Sequence, residues 1–497
     1  YENKKAEGKA ISNEIIISPV PFSVNTVKEN LIVNTNLALK EEKEKIIIQA
    51  FNFHSQGNIQ QAAKYYQSFI DQGFRDHRVF ANYGNILRDS GKLEKAENLY
   101  RKATEINPDY FIAHYNLGNL FINLGKLDEA ELSTRKAIEL NPNSAEAHLN
   151  LGTILNNTGK LQEAEYSYRK AIEENPNYAD AHYNLANTLN DNGRSEEAMI
   201  HRIKAVELKP QDDKLVKDLA ENLCYKKKYQ LALKYLTKNE SNSCQSIYLS
   251  CLLSLDREKD FNKKYKELYD KKICNAEIGG VVEHANIIYK KQYKSNFCNN
   301  SIKYIFTEKI NEKSFSKDHL NQLISFNKTS KKENRSQDLL KNGIQTSGNL
   351  FLLDFPFIKS IKKAIEAKIE LYKYKFRNSA QGFITNWPEE YELRSWMISM
   401  KTGGFLAPHN HTYGWITGSF YLKIPKYIKD NDKNAGDIAF SYQGPSYPNK
   451  DNNFNLTIKK VETRDIFIFP SSLFHHTIPF KSTEERICFV FDLIQKN

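Results

Sequence analysis

Between residues 45 and 214 small and apolar positions return every 34 residues, and each period reads as two helices joined by a tight turn. Gly84 recurs as Gly118, Gly152 and Ala186, a small residue that lets the second helix of each pair come close. Ala62 recurs as Ala96, Ala130, Ala164 and Ala198, and Ala103 as Ala137, Ala171 and Ala205, which keeps the second helix thin at the crossing. Gly57 returns as Gly91, Gly125, Gly159 and Gly193, where a helix must end in left-handed backbone and glycine does so at least cost. Pro108, Pro142, Pro176 and Pro210 stop the second helix before the next pair begins.

These residues resemble the tetratricopeptide-repeat (TPR) family, in five units with a sixth whose turn is Lys226-Lys227-Lys228 and which reads as a degenerate cap. The resemblance implies a solenoid whose first helices line a concave face that binds protein or peptide. On those helices Asn82, Asn116, Asn150 and Asn184 occupy one repeated position, with Asn85, Asn119 and Asn187 three residues later. An amide side chain both donates and accepts, so such a ladder can hold an extended peptide backbone without demanding a sequence. The alternative is that duplication copied an abundant residue. His114, His148 and His182 also recur, but helix pairs set them roughly 10 Å apart, too far to share an ion, and they read as surface residues.

From 241 to 345 the periodicity weakens. Helices are expected over 245–255 and 261–269, and the polar stretch 309–335 reads as linker or surface loops. His284 and His319 stand alone there, as structural or exposed side chains.

After Gly348 the pattern changes again. An amphipathic helix spans 358–374, with Ile361, Ile365, Ile369 and Leu371 opposite Lys362, Lys363 and Lys368. Period-two runs follow at 392–400, 418–424, 437–442, 455–461, 465–469 and 486–493, separated by Gly, Pro and Asn. Many short strands after one helix suggest a jelly-roll barrel of cupin type, although periodicity alone does not separate it from other sandwiches.

The histidines narrow this. In His409-Asn410-His411 the two imidazoles lie two residues apart, on one side of an extended chain. About 65 residues later comes Leu473-Phe474-His475-His476-Thr477, followed by Arg486 at the start of the last run. Histidines on an early and a late strand can hold a metal on one face and leave positions open.

The motifs His409-x-His411, Phe420-Tyr421-Leu422, Arg464 to Pro470, His475 with Pro479, and Arg486 resemble the 2-oxoglutarate- and Fe(II)-dependent oxygenases, a TPR-associated subfamily in particular. The resemblance covers about 345–497 and implies a double-stranded β-helix, Fe(II) held by His409, His411 and His475, and 2-oxoglutarate bound by Arg486 and Tyr421. It makes His475 rather than His476 the distal ligand. The sequence departs from the family at His411, where a carboxylate is usual, and at Cys488, where a hydroxyl is common. His411 is then a third imidazole ligand, a hydrogen-bonding partner beside the ligands, or a bystander to a two-histidine centre completed by water.

The expected organisation is multidomain α plus β: a partly helical or extended segment over 1–44, a solenoid over 45–244, a helical connector and linker over 245–345, and the jelly-roll domain over 346–497. A hydroxylase acting on a protein or peptide recruited by the repeats is the leading functional expectation. A small-molecule oxygenase and a non-catalytic scaffold are the alternatives. The net charge of +11 is spread among Lys-rich, solvated positions without an Arg-dense cluster, so nucleic acid is not the expected partner. No run reaches membrane-spanning length, and 1–40 lacks a basic segment leading into an apolar one. Six scattered cysteines without a C-x-x-C pair argue for a reducing, cytoplasmic setting rather than a disulfide framework.

Overall fold

A computed structural model of the chain describes residues 37–329, 339–346, 348–426, 433–444 and 455–496. The segment expected over 1–44 falls outside these up to residue 36, and the rest of it begins the helix Leu37–Ser55. Two compact units divide between Lys209 and Pro210.

In the first unit five helix pairs follow one another, from Leu37–Ser55 with Ile59–Asp71 to Ala179–Asp191 with Ser195–Leu208. Each repeated turn glycine adopts φ between 71° and 78° at Gly57, Gly91, Gly125, Gly159 and Gly193, the left-handed backbone expected there. The small residue on the first helix accommodates a side chain of the second. A Cβ at Gly84 would meet the Tyr100 ring at 2.5 Å, and one at Gly152 the Tyr168 ring at 2.6 Å. The alanine series is buried throughout, at the helix crossings expected of it.

The repeated histidines differ from expectation. His148 and His182 are 9% and 6% exposed, not surface residues, because each imidazole turns inward to cap the preceding turn. Nε2 of His114, His148 and His182 donates to the carbonyl of Pro108, Pro142 and Pro176 at 2.8, 2.8 and 3.1 Å. These carbonyls lie in the turns just beyond the helix ends, outside the helical hydrogen-bond ladder.

The second unit opens with helices Asp213–Tyr225, Tyr229–Leu236, Asn242–Ser254, Glu258–Asp270 and Ala276–Ile288. Lys227, in the place of the turn glycine, keeps the left-handed conformation at φ 56°. The stretch expected to be linker instead holds helix Lys317–Thr329, preceded by the strand β1 (Phe306–Lys309). Its polar composition hides a short apolar stripe, Leu320 and Leu323, packed with Phe315 into the core.

The remaining strands are β2 (Leu340–Gln345), β3 (Tyr391–Leu406), β4 (Ile416–Lys423), β5 (Ile438–Ser441), β6 (Thr457–Lys459), β7 (Asp465–Pro470), β8 (Phe474–Thr477) and β9 (Arg486–Gln495). They form two antiparallel sheets, one ordered β1-β7-β4-β9-β3-β2 and one ordered β6-β5-β8. The expected helix is Pro356–Lys375 and covers the outer face of the larger sheet with Ile358, Ile361, Ile365, Ile369 and Tyr372. Leu371 lies outside that stripe and is exposed, since two residues beyond Ile369 is more than half a turn away.

The alternation of β9 positions the site. Ile487, Phe489, Phe491 and Leu493 join the core beneath that helix. Cys488 and Val490 join a second core with Trp396, Tyr421, Phe467 and Phe469, and the period of two puts Arg486 and Asp492 on this same side.

Candidate metal centre

His409 and His475 lie in adjacent stretches of chain joined by two backbone hydrogen bonds, His409 N to His475 O at 3.1 Å and His475 N to His409 O at 2.9 Å. His411 is fixed two residues further on, where its N–H donates to the Ser471 carbonyl at 3.1 Å. The rings of His409 and His475 are centred 4.4 Å apart, and that of His411 lies 5.1 and 5.2 Å from them. One ring nitrogen from each of the three falls within 4.8 Å of the others, the one such metal-ready group of His, Cys, Asp or Glu among the described residues.

The outward nitrogens fix the tautomers. Nδ1 of His409 donates to the Ala407 carbonyl at 2.8 Å and Nδ1 of His475 to the Leu473 carbonyl at 3.3 Å. Nδ1 of His411 donates to the Asp492 carboxylate, 2.8 Å from Oδ1 and 2.9 Å from Oδ2. A carbonyl can only accept, so Nδ1 carries the proton in His409 and His475, and Nε2 keeps its lone pair. Burial, reinforced by His411, pushes His409 down to about 3. Burial, then the neighbouring His409 and His411, holds His475 well below the usual imidazole range. Both rings are therefore neutral at physiological pH.

Asp492 is itself held. Thr417 Oγ1 donates to its Oδ1 at 2.7 Å and lies 2.8 Å from Ser471 Oγ. Trp396 stacks on the His411 ring at 5.7 Å, and the edge-on Phe469 ring backs His475 at 4.8 Å. Trp415 belongs to the outer core instead, its indole N–H donating to the Phe383 carbonyl at 2.7 Å. His476 is half-buried and stands outside the three-imidazole group.

Arg486 is 1% exposed. Its Nε donates to the Gly436 carbonyl at 3.2 Å, and its guanidinium lies over the Tyr421 ring, 4.9 Å from the centroid. Cys488 shares this face of β9, and burial pushes its thiol up although Arg486 draws it down. Arg486 and Tyr421 are thus brought together in the inner core.

Of the repeated asparagines, Asn116 is buried and donates to Asn85 Oδ1 at 2.9 Å, and Asn150 donates to Asn119 Oδ1. These bonds join one repeat to the next. Asn82 and Asn184 are half-buried. His284, fully buried, accepts the Gly444 N–H on Nδ1 at 3.0 Å, a structural role.

Sequence reasoning missed Asp492, Thr417 and Ser471. A lone carboxylate inside the apolar run Ile487-Cys488-Phe489-Val490-Phe491-Asp492-Leu493 was the available signal, since a charge buried in a strand needs a partner.

The fold and this cluster define a helical-repeat protein joined to an antiparallel β domain that carries a facial group of three imidazoles. Residues 394–492 match the family described as "Putative 2OG-Fe(II) oxygenase", and residues 84–125, 115–179 and 167–199 match three TPR families. The chain thus carries tetratricopeptide repeats within 84–199 and, over 394–492, a C-terminal match to that oxygenase family. Among solved structures it is similar to MamA, at 21% identity over 34% of this chain and 92% of that one, with a TM-score of 0.32. It is similar also to YrrB, titled a TPR protein with an unusual peptide-binding site, at 26% identity over 38% of this chain and 96% of that one, TM-score 0.33. A MamA from Desulfovibrio magneticus RS-1 gives 19% identity over 34% of this chain and 97% of that one, TM-score 0.32. No curated protein matches the chain.

The residues present fit an iron. Imidazoles whose Nδ1 atoms are already engaged leave their Nε2 atoms to converge on one point, a donor set suited to a divalent transition metal.

Proposed function

We propose that the C-terminal domain is a double-stranded β-helix acting as a 2-oxoglutarate- and Fe(II)-dependent hydroxylase, with a protein or peptide recruited by the repeats as substrate. The observation that carries the reading is the convergence of His409, His411 and His475 with every Nδ1 engaged by an acceptor. The strand order, with β8 and the His409 segment bridged in the smaller sheet, supports the jelly-roll assignment.

In this reading the three histidines hold Fe(II) through Nε2. Arg486 takes the far carboxylate of 2-oxoglutarate with its planar fork, and the Tyr421 ring beneath it holds the guanidinium in place. Trp396 and Phe469 hold the ligand rings in place and keep water from them. Iron with 2-oxoglutarate, when bound, supplies the oxidising power that places one oxygen of O₂ on a C–H carbon and leaves succinate and CO₂. The repeats support a protein or peptide partner, with the half-buried Asn82, Asn150 and Asn184 as the proposed contacts, whereas Asn116 is buried and spent on its bond to Asn85.

The test is succinate release from 2-oxoglutarate in air after anaerobic loading with Fe(II). Iron-dependent succinate that disappears in His475→Ala supports a working oxygenase. An absence of both iron binding and succinate in the native protein would sink the reading.

A further inference from the structure

Three imidazole ligands bring no negative charge to a divalent cation, yet the cluster is not backed uniformly. His409 and His475 lean on backbone carbonyls, whereas His411 alone leans on a carboxylate. That carboxylate takes part in a closed circuit: His411 Nδ1–H to Asp492, Thr417 Oγ1–H to Asp492, Thr417 beside Ser471 Oγ, and the Ser471 carbonyl back to the His411 N–H. Asp492 and His411 are each about a tenth exposed or less, so the pair is not diluted by solvent. A Cβ at Gly414 would meet Ser471 Oγ at 2.4 Å, so the tight loop after His411 leaves the circuit its room.

We infer that Asp492 is a positioning residue that supplies the centre's negative charge through His411, fixing that ring's tautomer and strengthening its Nε2 as a ligand, with Thr417 and Ser471 aiming the carboxylate. This rests on the metal-centre reading above and deepens it. A carboxylate behind a ligating imidazole makes the ring a better donor, and removing such a partner typically weakens metal binding roughly 10–100-fold. Thr417 satisfies the Asp492 oxygen that also faces the imidazole, so the carboxylate cannot rotate away without abandoning a buried hydroxyl.

Co(II) serves as the probe, its affinity measured by chelator competition and its geometry by the d–d absorption bands. Asp492→Asn preserves shape and removes charge. The expected result is Co(II) binding about 10–100-fold weaker than native with altered d–d bands, while the metal-free variant melts close to the native temperature. Asp492→Glu retains the charge and should recover part of the affinity. Unchanged affinity and bands in a folded Asp492→Asn overturn the inference and leave the metal centre standing. A native protein that takes up no Co(II) overturns the metal-centre reading itself and this inference with it. If Asp492→Asn does not fold, Thr417→Val decides: several-fold weaker Co(II) binding supports the role, and native affinity rejects it.

Discussion

The Tyr413 hydroxyl donates to the Glu221 carboxylate across 192 residues of sequence. Lys217 places its ammonium 4.0 Å from the centre of the same ring, so one helix, Asp213–Tyr225, grips Tyr413 by its edge and its face. Tyr413 follows His411 by two residues, and the helix thereby braces the loop that carries two of the imidazoles. Tyr413→Phe is expected to cost about 1 kcal/mol, the charged hydrogen bond being discounted for a half-exposed ring. Urea unfolding measures the loss, and faster amide exchange confined to 409–414 locates it.

Gly280 bears on the same loops. A Cβ there would stand 2.8 Å from Asn410 Nδ2 and 2.9 Å from the Ser472 carbonyl, between the segments bearing His409, His411 and His475. Helix Ala276–Ile288 must yield or the loops must part, because one of the two contacts is backbone. Gly280→Ala should lower Co(II) affinity several-fold, with helical circular dichroism unchanged. Native affinity would mean that the loops absorb the methyl at no cost to the centre.

Glu283, on that helix, accepts Ser301 N–H at 2.7 Å and Ser301 Oγ–H at 2.5 Å in a buried site. Burial pushes its carboxyl from 4.5 up to about 7, against the pull of these Ser301 bonds. Between those values the unfolded chain has lost the proton that the fold retains, so stability is full below 4.5, falls as pH rises to about 7, and is level above. The difference is on the order of 3 kcal/mol. Glu283→Gln should flatten that part of the curve, read as the difference in melting temperature between variant and native from pH 4.5 to 7.

Lys227 holds a left-handed conformation at φ 56° in the place where five preceding turns use glycine. A side chain there costs about 1–2 kcal/mol. Lys227→Gly is expected to stabilise the protein by about 1 kcal/mol in denaturant titration, the glycine's greater freedom when unfolded cancelling the rest. No gain would place the strain elsewhere in the turn.

The repeats were legible because their period is long and their punctuation strict. Five glycines predicted five left-handed turns, and the alanines predicted the buried crossings. The histidine cluster was legible because residues two apart on extended chain share a side, and the short bridge at His409 keeps the chain extended there. What escaped was whatever depended on a partner distant in sequence. β1 is four residues long with one buried position, too short for a period to register. β8 reads as a motif rather than as a strand because its ladder partners come from β5, far upstream. The helix Lys317–Thr329 turns only a few side chains inward and resembled linker. His148 and His182 were misjudged because their burial is set by a proline carbonyl six residues earlier, which polarity does not forecast. Asp492 had meaning only once Thr417 and His411 were seen beside it.

The alternation of β9 makes its alignment an all-or-none matter. Arg486 and Asp492 share one side, and Ile487, Phe489, Phe491 and Leu493 the other. A slip of one residue against β3 and β4 would drive both charges into the oily layer and thrust the aromatic rings toward the imidazoles. Correct alignment of β9 and delivery of Arg486 and Asp492 to the side that faces the inner core are therefore one structural requirement, met or missed together.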